Sequence, residues 1–342
     1  MMTSLGYKVI HYGAEGSDVP CAENVVVLDD ATQKEVYGDF DWHKHYWNFK
    51  FDDHAYMTFA KRATEEILAR RGNNDLLLTV SGKAHAGVAN ETGLTAVEYA
   101  IGYEGVFSRH RVFGSYAWMH YIYGILSTKT KSFDGNWYDA VIPHYFNPDD
   151  FELSEDKDDY FVYIGRLVPR KGPHIASQVC SRLGKKLIVA GQGDPKAAGL
   201  TGSHIEYVGT VGVKERKELL KAAKAVFVPT VYIEPFGMTS VEALMCGTPV
   251  ISTDWGAFTE NIIHGKVGFR CRTMDDFLWA ARNVDKIDPK VCHNYAVDNF
   301  SYDVVKYKYD EYFMKIADLW SGGWYEIHPE RSSLDWLVKK CP

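Results

Sequence analysis

Phe161-Val162-Tyr163-Ile164-Gly165 is followed by a helix-period segment over residues 174–183, closed by Gly184, and then by Lys186-Leu187-Ile188-Val189-Ala190-Gly191. The two outer runs are short and almost continuously apolar, which suits strands buried on both faces. A helix between two such strands joins them in parallel. The alternation continues downstream. Residues 205–208 are expected as a strand, 214–224 as a charged amphipathic helix, 225–228 as a strand, 239–246 as a helix and 250–253 as a strand. A series of this kind argues for a doubly wound α/β domain.

Upstream the pattern is less regular. Residues 8–12, 24–28, 75–80 and 96–101 are strand candidates, and 59–70 reads as a helix that stops near Gly72. A chain of 342 residues suits two domains rather than one core. The boundary is expected after the strand Ala140-Val141-Ile142-Pro143, in the acidic stretch from Asn147-Pro148-Asp149-Asp150 to Asp158-Asp159. A run of carboxylates like this one reads as a solvated linker, not a metal site. The expected organisation is a Rossmann-like domain over 1–150, a second over 151–305, and a helical segment over 306–342 that packs back on the first domain.

Composition narrows the function classes. The formal net charge is -7, and no block of Lys and Arg is present to displace counterions from a duplex, so nucleic acid is not an expected partner. Six scattered cysteines, with no C-x-x-C pair, read as free thiols in a reducing cytosol. No apolar run approaches the roughly 18–20 residues of a membrane helix, so the expected location is cytoplasmic, with peripheral contact at the inner membrane face left open.

Three segments carry chemistry. Gly165-Arg166-Leu167-Val168-Pro169-Arg170-Lys171-Gly172 leaves a strand end and enters a helix. Arg166 and Lys171 there suit an anion, one as a planar fork and one as a point charge; the alternative is an ordinary solvated basic loop. Gly191-Gln192-Gly193 closes the next strand and by itself reads as a tight turn. The richest segment is Glu234-Pro235-Phe236-Gly237-Met238-Thr239-Ser240-Val241-Glu242, ending at Gly247-Thr248-Pro249. Pro235 and Gly237 force a sharp loop at a helix entrance. Thr239 and Glu242 have capping-box spacing, which gives Glu242 a purely structural reading. Glu234 has no such role and is a natural acceptor for sugar or ribose hydroxyls.

In these segments the chain resembles the retaining glycosyltransferases of the GT-B fold, family four (group 1), in which two Rossmann-like doubly wound domains face a central cleft. The spacing of Glu234 and Glu242 is similar to that family's paired-glutamate signature. Gly165-Arg166-Leu167 with Lys171-Gly172 is similar to its phosphate loop, Gly191-Gln192-Gly193 to its glycine turn, Tyr207-Val208-Gly209-Thr210-Val211 to its base-pocket segment, and Gly247-Thr248-Pro249-Val250-Ile251 to its helix exit. The matches keep the family's order across about 110 residues of the chain. The resemblance implies a metal-independent transfer of a hexose from a UDP- or GDP-type donor to a glycan, lipid-linked or small-molecule acceptor, with no cofactor. Arg166, Lys171 and Glu234 would be catalytic. Gly165, Gly191, Gly193, Val208, Val211, Phe236, Gly237, Met238, Thr239 and Glu242 would bind the donor, Glu242 through its ribose.

The first domain departs from the family in two respects. The histidine that many members place at a strand end has no clear match. His85, His110, His120 and Glu104 are nearby in sequence, and His85, Glu104 and His120 are carried as candidates. The chain also opens on Met1-Met2-Thr3-Ser4-Leu5-Gly6, read as the end of a helix, so the family's first strand and glycine loop are expected upstream. Two other readings stay open: a nucleotide-sugar epimerase, and a degenerate homologue that binds nucleotide sugar as a partner subunit.

Overall fold

The computed structural model describes residues 1–39, 50–72, 74–131, 134–321 and 326–327. Cys341 and most of the segment after 321 lie outside the described residues. The first domain carries strands β1 (Ile10–Ala14), β2 (Glu23–Leu28), β3 (Leu76–Thr79), β4 (Thr95–Ile101), β5 (His110–Phe113) and β6 (Asp139–Val141). Its helices are α1 (Asp30–Tyr37), α2 (His54–Arg70), α3 (Ala86–Thr92) and α4 (Tyr116–Thr130). Three of these helices start on a side chain that accepts a backbone N–H, at Asp29, Asp53 and Ser115, the usual way to satisfy a helix start.

Strands β3, β4, β5 and β6 pair in that order and in parallel, while β1 and β2 form a separate parallel pair. The two groups share one apolar cluster, in which Val25 and Val27 of β2 and Leu77 of β3 meet Ala63 and Ile67 of α2. The first observed strand starts at Ile10 and not at residue 8.

The second domain carries β7 (Tyr160–Ile164), β8 (Lys186–Ala190), β9 (Ile205–Gly209), β10 (Ala225–Val228), β11 (Val250–Thr253) and β12 (Gly268–Cys271). Its helices are α5 (Pro173–Leu183), α6 (Val213–Ala222), α7 (Met238–Met245), α8 (Phe258–Asn261), α9 (Met274–Asn283) and α10 (Pro289–Phe300). The strands form one parallel sheet in the order β12-β11-β10-β7-β8-β9. From β7 the chain winds outward to β9, then returns to β10 on the other side. Such a reversal opens a crevice beyond the carboxyl ends of the two central strands, here β7 and β10. Val162, Leu187, Val189, Val226, Phe227 and Ile251 are fully buried, each contributing about 1.5–3 kcal/mol relative to exposure.

The acidic stretch between the domains is solvent-exposed and makes surface ion pairs. Glu152, Glu155 and Asp159 pair with Lys221, Lys290 and Lys185 of the second domain. The chain crosses between domains twice, side by side: Phe146 bridges Ser301 in parallel. The long helix α11 (Tyr302–Leu319) then lies on the first domain. Its Val305, Tyr309, Tyr312, Phe313 and Ile316 bury against Val97 of β4, Val112 of β5 and Ile142. No described helix is long and apolar enough to cross a membrane.

Candidate active site

The crevice at the β7/β10 reversal holds a cavity. It is lined by Gly165 and Lys171 from the loop after β7, by Glu234, Phe236, Gly237, Met238 and Thr239 from the loop after β10, and by His144 of the first domain. Seven residues singled out from sequence therefore meet in one place, although 165 and 239 stand far apart in the chain. Parallel topology is the cause, since it brings the ends of β7 and β10 together.

Lys171 Nζ lies 2.6 Å from Glu234 Oε2, with the side chains 21% and 10% exposed. Lys171 also sits 5.0 Å from the centre of the Tyr232 ring. A cation and a carboxylate held this close present a donor for anionic oxygens and an acceptor for hydroxyls side by side. Beyond them α7 begins. Gly237 is its N-cap, with φ 85°, and no side chain caps the helix. The first N–H groups of a helix have no intrahelical acceptor and carry its positive end, and Gly237, Met238 and Thr239 line the cavity.

This geometry corrects the capping-box reading. α7 starts one residue earlier than expected, because left-handed Gly237 turns the chain before Thr239. Thr239 is inside the helix, and Glu242 lies in its second turn, where it pairs with Arg216 of α6 at 2.9 Å. Burial raises the Glu242 carboxyl above its ordinary range, and the Arg216 guanidinium opposes that rise.

Gly191, φ 137°, ends β8 where a Cβ would run into the Gly165 carbonyl. Glycine is required here so that the two loops can touch. The Tyr207 hydroxyl donates to the carbonyls of Gly191 and Gly193, at 2.9 and 3.3 Å. Val208 is 37% exposed on the edge strand β9, and Val211 follows it. Arg166, Gly191, Gly193, Val208, Val211 and Glu242 belong to the second domain but do not line the cavity. The Arg166 carbonyl accepts the Tyr163 hydroxyl at 2.8 Å.

The first-domain candidates do not line the cavity. His85 stacks on Phe59 at 5.9 Å, and burial lowers its pKa. Glu104 is exposed and accepts from Tyr121 at 2.6 Å. His120 is exposed on α4 between Tyr116 and Tyr123. The first-domain side chain that does line it is His144, which sequence reading passed over. Arg111 of β5 forks onto Asp139 at the start of β6, at 2.9 and 2.7 Å, and the chain leaves β6 through Pro143 into His144. The imidazole lies against bare Gly114 and 4.6 Å from the Phe236 ring centre. Burial lowers its pKa to about 4, so the ring is neutral at neutral pH. The signal available in the sequence was a polar residue just past a parallel strand end.

Among the described residues no group of three or more His, Cys, Asp or Glu is placed to hold a metal ion.

Residues 147–287 match the family described as glycosyl transferases group 1. An uncharacterized glycosyltransferase of Methanocaldococcus jannaschii is 30% identical over 170 residues, which is 46% of this chain and 43% of that protein. The chain thus spans less than half the length of the curated relatives it matches. The structure of AviGT4, a glycosyltransferase involved in avilamycin A biosynthesis, superposes with TM-score 0.69 at 21% identity, covering 92% of this chain and 86% of that one. HepE of Anabaena in complex with UDP and glucose superposes with TM-score 0.62 at 15% identity, covering 85% and 86%. The last two likenesses show the fold. The second domain of this chain is therefore similar to the group 1 glycosyl transferases, and the chain as a whole has the GT-B fold of two Rossmann-like domains.

Proposed function

We propose that the protein is a retaining, metal-independent hexosyltransferase that uses a UDP- or GDP-type sugar donor. The observation that carries this reading is the Lys171–Glu234 pair at the mouth of the β7/β10 crevice, under the exposed start of α7. Lys171 and Arg166 would neutralise the leaving diphosphate, the work that magnesium does in other transferases. Glu234 and the backbone from Phe236 to Thr239 would hold the sugar, and Glu242 the ribose. His144 would offer a neutral imidazole to the sugar from the acceptor side. Retention by same-face attack within an ion pair suits a cavity built to stabilise a leaving group. The bound UDP and glucose of the HepE structure support a UDP-type donor. The acceptor would be a glycan, a lipid-linked sugar or a small molecule, reached from the cytoplasm with peripheral membrane contact where it is lipid-linked.

The test is a panel of nucleotide sugars screened by thermal shift, followed by donor consumption with candidate acceptors. A bound donor raises the melting temperature by mass action. No stabilisation by any nucleotide sugar would overturn the reading, and binding without turnover would favour a partner subunit instead.

Two outcomes follow from the geometry. Glu242→Gln is expected to keep the fold and to weaken nucleotide binding by about tenfold, since charged acceptors bind hydroxyls more strongly than neutral ones. Calorimetry with the free nucleotide checks this, and unchanged affinity would make Glu242 a partner of Arg216 only. Turnover is also expected to survive excess EDTA. Strict dependence on added manganese or magnesium would reject the metal-independent mechanism.

A further inference from the structure

The short helix α8 touches both halves of the site. Its Phe258 ring packs where a Cβ on Gly237 would lie, 2.6 Å away. Asn261 Nδ2 donates to the Phe236 carbonyl at 2.8 Å. Between them in sequence, Glu260 reaches across to the first domain. Its two carboxylate oxygens accept the backbone N–H groups of Tyr116 at 2.9 Å and Ala117 at 2.8 Å. These are the first two residues of α4. The N-cap of that helix, Ser115, donates to the Pro235 carbonyl at 2.7 Å and accepts the Trp118 N–H at 3.1 Å.

A carboxylate on two helix-start N–H groups makes charge-assisted hydrogen bonds and meets the positive end of the helix. Here the carboxylate and the helix belong to different domains. Bare backbone lets them close: Gly102 of the first domain has room for Pro235 at 3.6 Å from its would-be Cβ, and Gly114 faces His144 and Phe236. The covalent connections lie elsewhere, at the Phe146–Ser301 bridge. Contacts across the cleft must therefore set how the first domain meets the loop at 235–237.

We infer that Glu260 is a positioning residue for the proposed transfer: docked on the start of α4, it clips the first domain to the sugar-binding loop and so holds His144 at the cavity. The inference rests on the functional reading for its catalytic consequence. The clip itself is a statement about domain arrangement and is measured separately.

Four variants of the full chain test it: Glu260→Ala, Glu260→Gln, Tyr116→Ala and Tyr116→Pro. Proline fits the first helical position and deletes only the N–H, and the extended Ser115 before it tolerates a following proline. Tyr116→Pro compared with Tyr116→Ala therefore isolates one hydrogen bond without touching Glu260. Small-angle scattering is expected to show a wider domain arrangement for Glu260→Ala. In Tyr116→Pro it should be wider than in Tyr116→Ala, and Glu260→Gln should lie between Glu260→Ala and wild type. Donor affinity should stay within about twofold of wild type in all four, because the proposed donor contacts other than His144 lie on the second domain. Turnover should fall by about ten- to a hundredfold in Glu260→Ala, the scale of a misplacement near 1 Å, with partial rescue by glutamine. Scattering curves identical to wild type would overturn the clip. A wider arrangement with unchanged turnover would overturn the positioning role. Loss of donor binding in Glu260→Ala would make the residue part of the donor site and overturn it too. Failure of the wild type to bind any nucleotide sugar would reject the functional reading, while the scattering comparison would still decide the clip.

Discussion

Replacing Lys171 by alanine is expected to lower turnover by about two to three orders of magnitude, the scale of losing one preorganised charge at a developing negative leaving group. The fold should tolerate the change. Lys171 belongs to a loop turn rather than the core, and its partner Glu234 keeps 10% exposure. A cost of about 1–2 kcal/mol for leaving that carboxylate without its cation corresponds to a few degrees in melting temperature. Single-turnover kinetics with the best donor from the screen, read beside a thermal melt, is the appropriate measurement. Arg166→Ala is expected to act in the same direction. Wild-type turnover in Lys171→Ala would remove the lysine from the leaving-group role and leave it as a structural partner of Glu234.

His144→Phe should lower turnover by about a hundredfold while donor affinity holds. Phenylalanine fills the same space against Gly114 and Phe236 but has no ring nitrogen to exchange a proton or a hydrogen bond with substrate. The same variant has a pH signature in stability. The folded-state pKa of His144 lies at about 4, below its ordinary 6.5. The unfolded chain therefore binds the proton more tightly. The stability that comes from burying the neutral ring is fully present above pH 6.5 and is lost as pH falls toward 4, by about 3 kcal/mol in all. His110, also lowered by burial to about 4, adds a second loss in the same window. Urea melts between pH 4 and 7 should thus show a shallower acid-side loss for His144→Phe than for wild type. Parallel curves would mean that His144 is not buried as a neutral ring in solution.

The second domain was readable residue by residue because its strands are buried on both faces. Runs such as Phe161-Val162-Tyr163-Ile164 and Leu187-Ile188-Val189-Ala190 have no competing amphipathic reading. Turn glycines mark their ends. The first domain was harder to read. Helix α4 is built from Tyr116-Ala117-Trp118-Met119-His120-Tyr121-Ile122-Tyr123, residues that suit a strand as well as a helix. Ser115 and Glu260 together satisfy its start, and one of them comes from 144 positions downstream.

By itself the sequence determined that the second half alternates strand and helix in parallel, where its loops lie, and which loop residues carry charge or bare backbone. Those properties are local: they depend on periodicity, on glycine's access to left-handed geometry and on the order of elements. Only the tertiary structure decided that Glu242 faces Arg216 and not a capping partner. It alone brought Lys171 onto Glu234, and it chose His144, not His85, Glu104 or His120, to line the cavity. Each of these depends on which element ends and which domain faces meet, and pairings such as Lys171 with Glu234, 63 positions apart, leave no periodic trace in the chain.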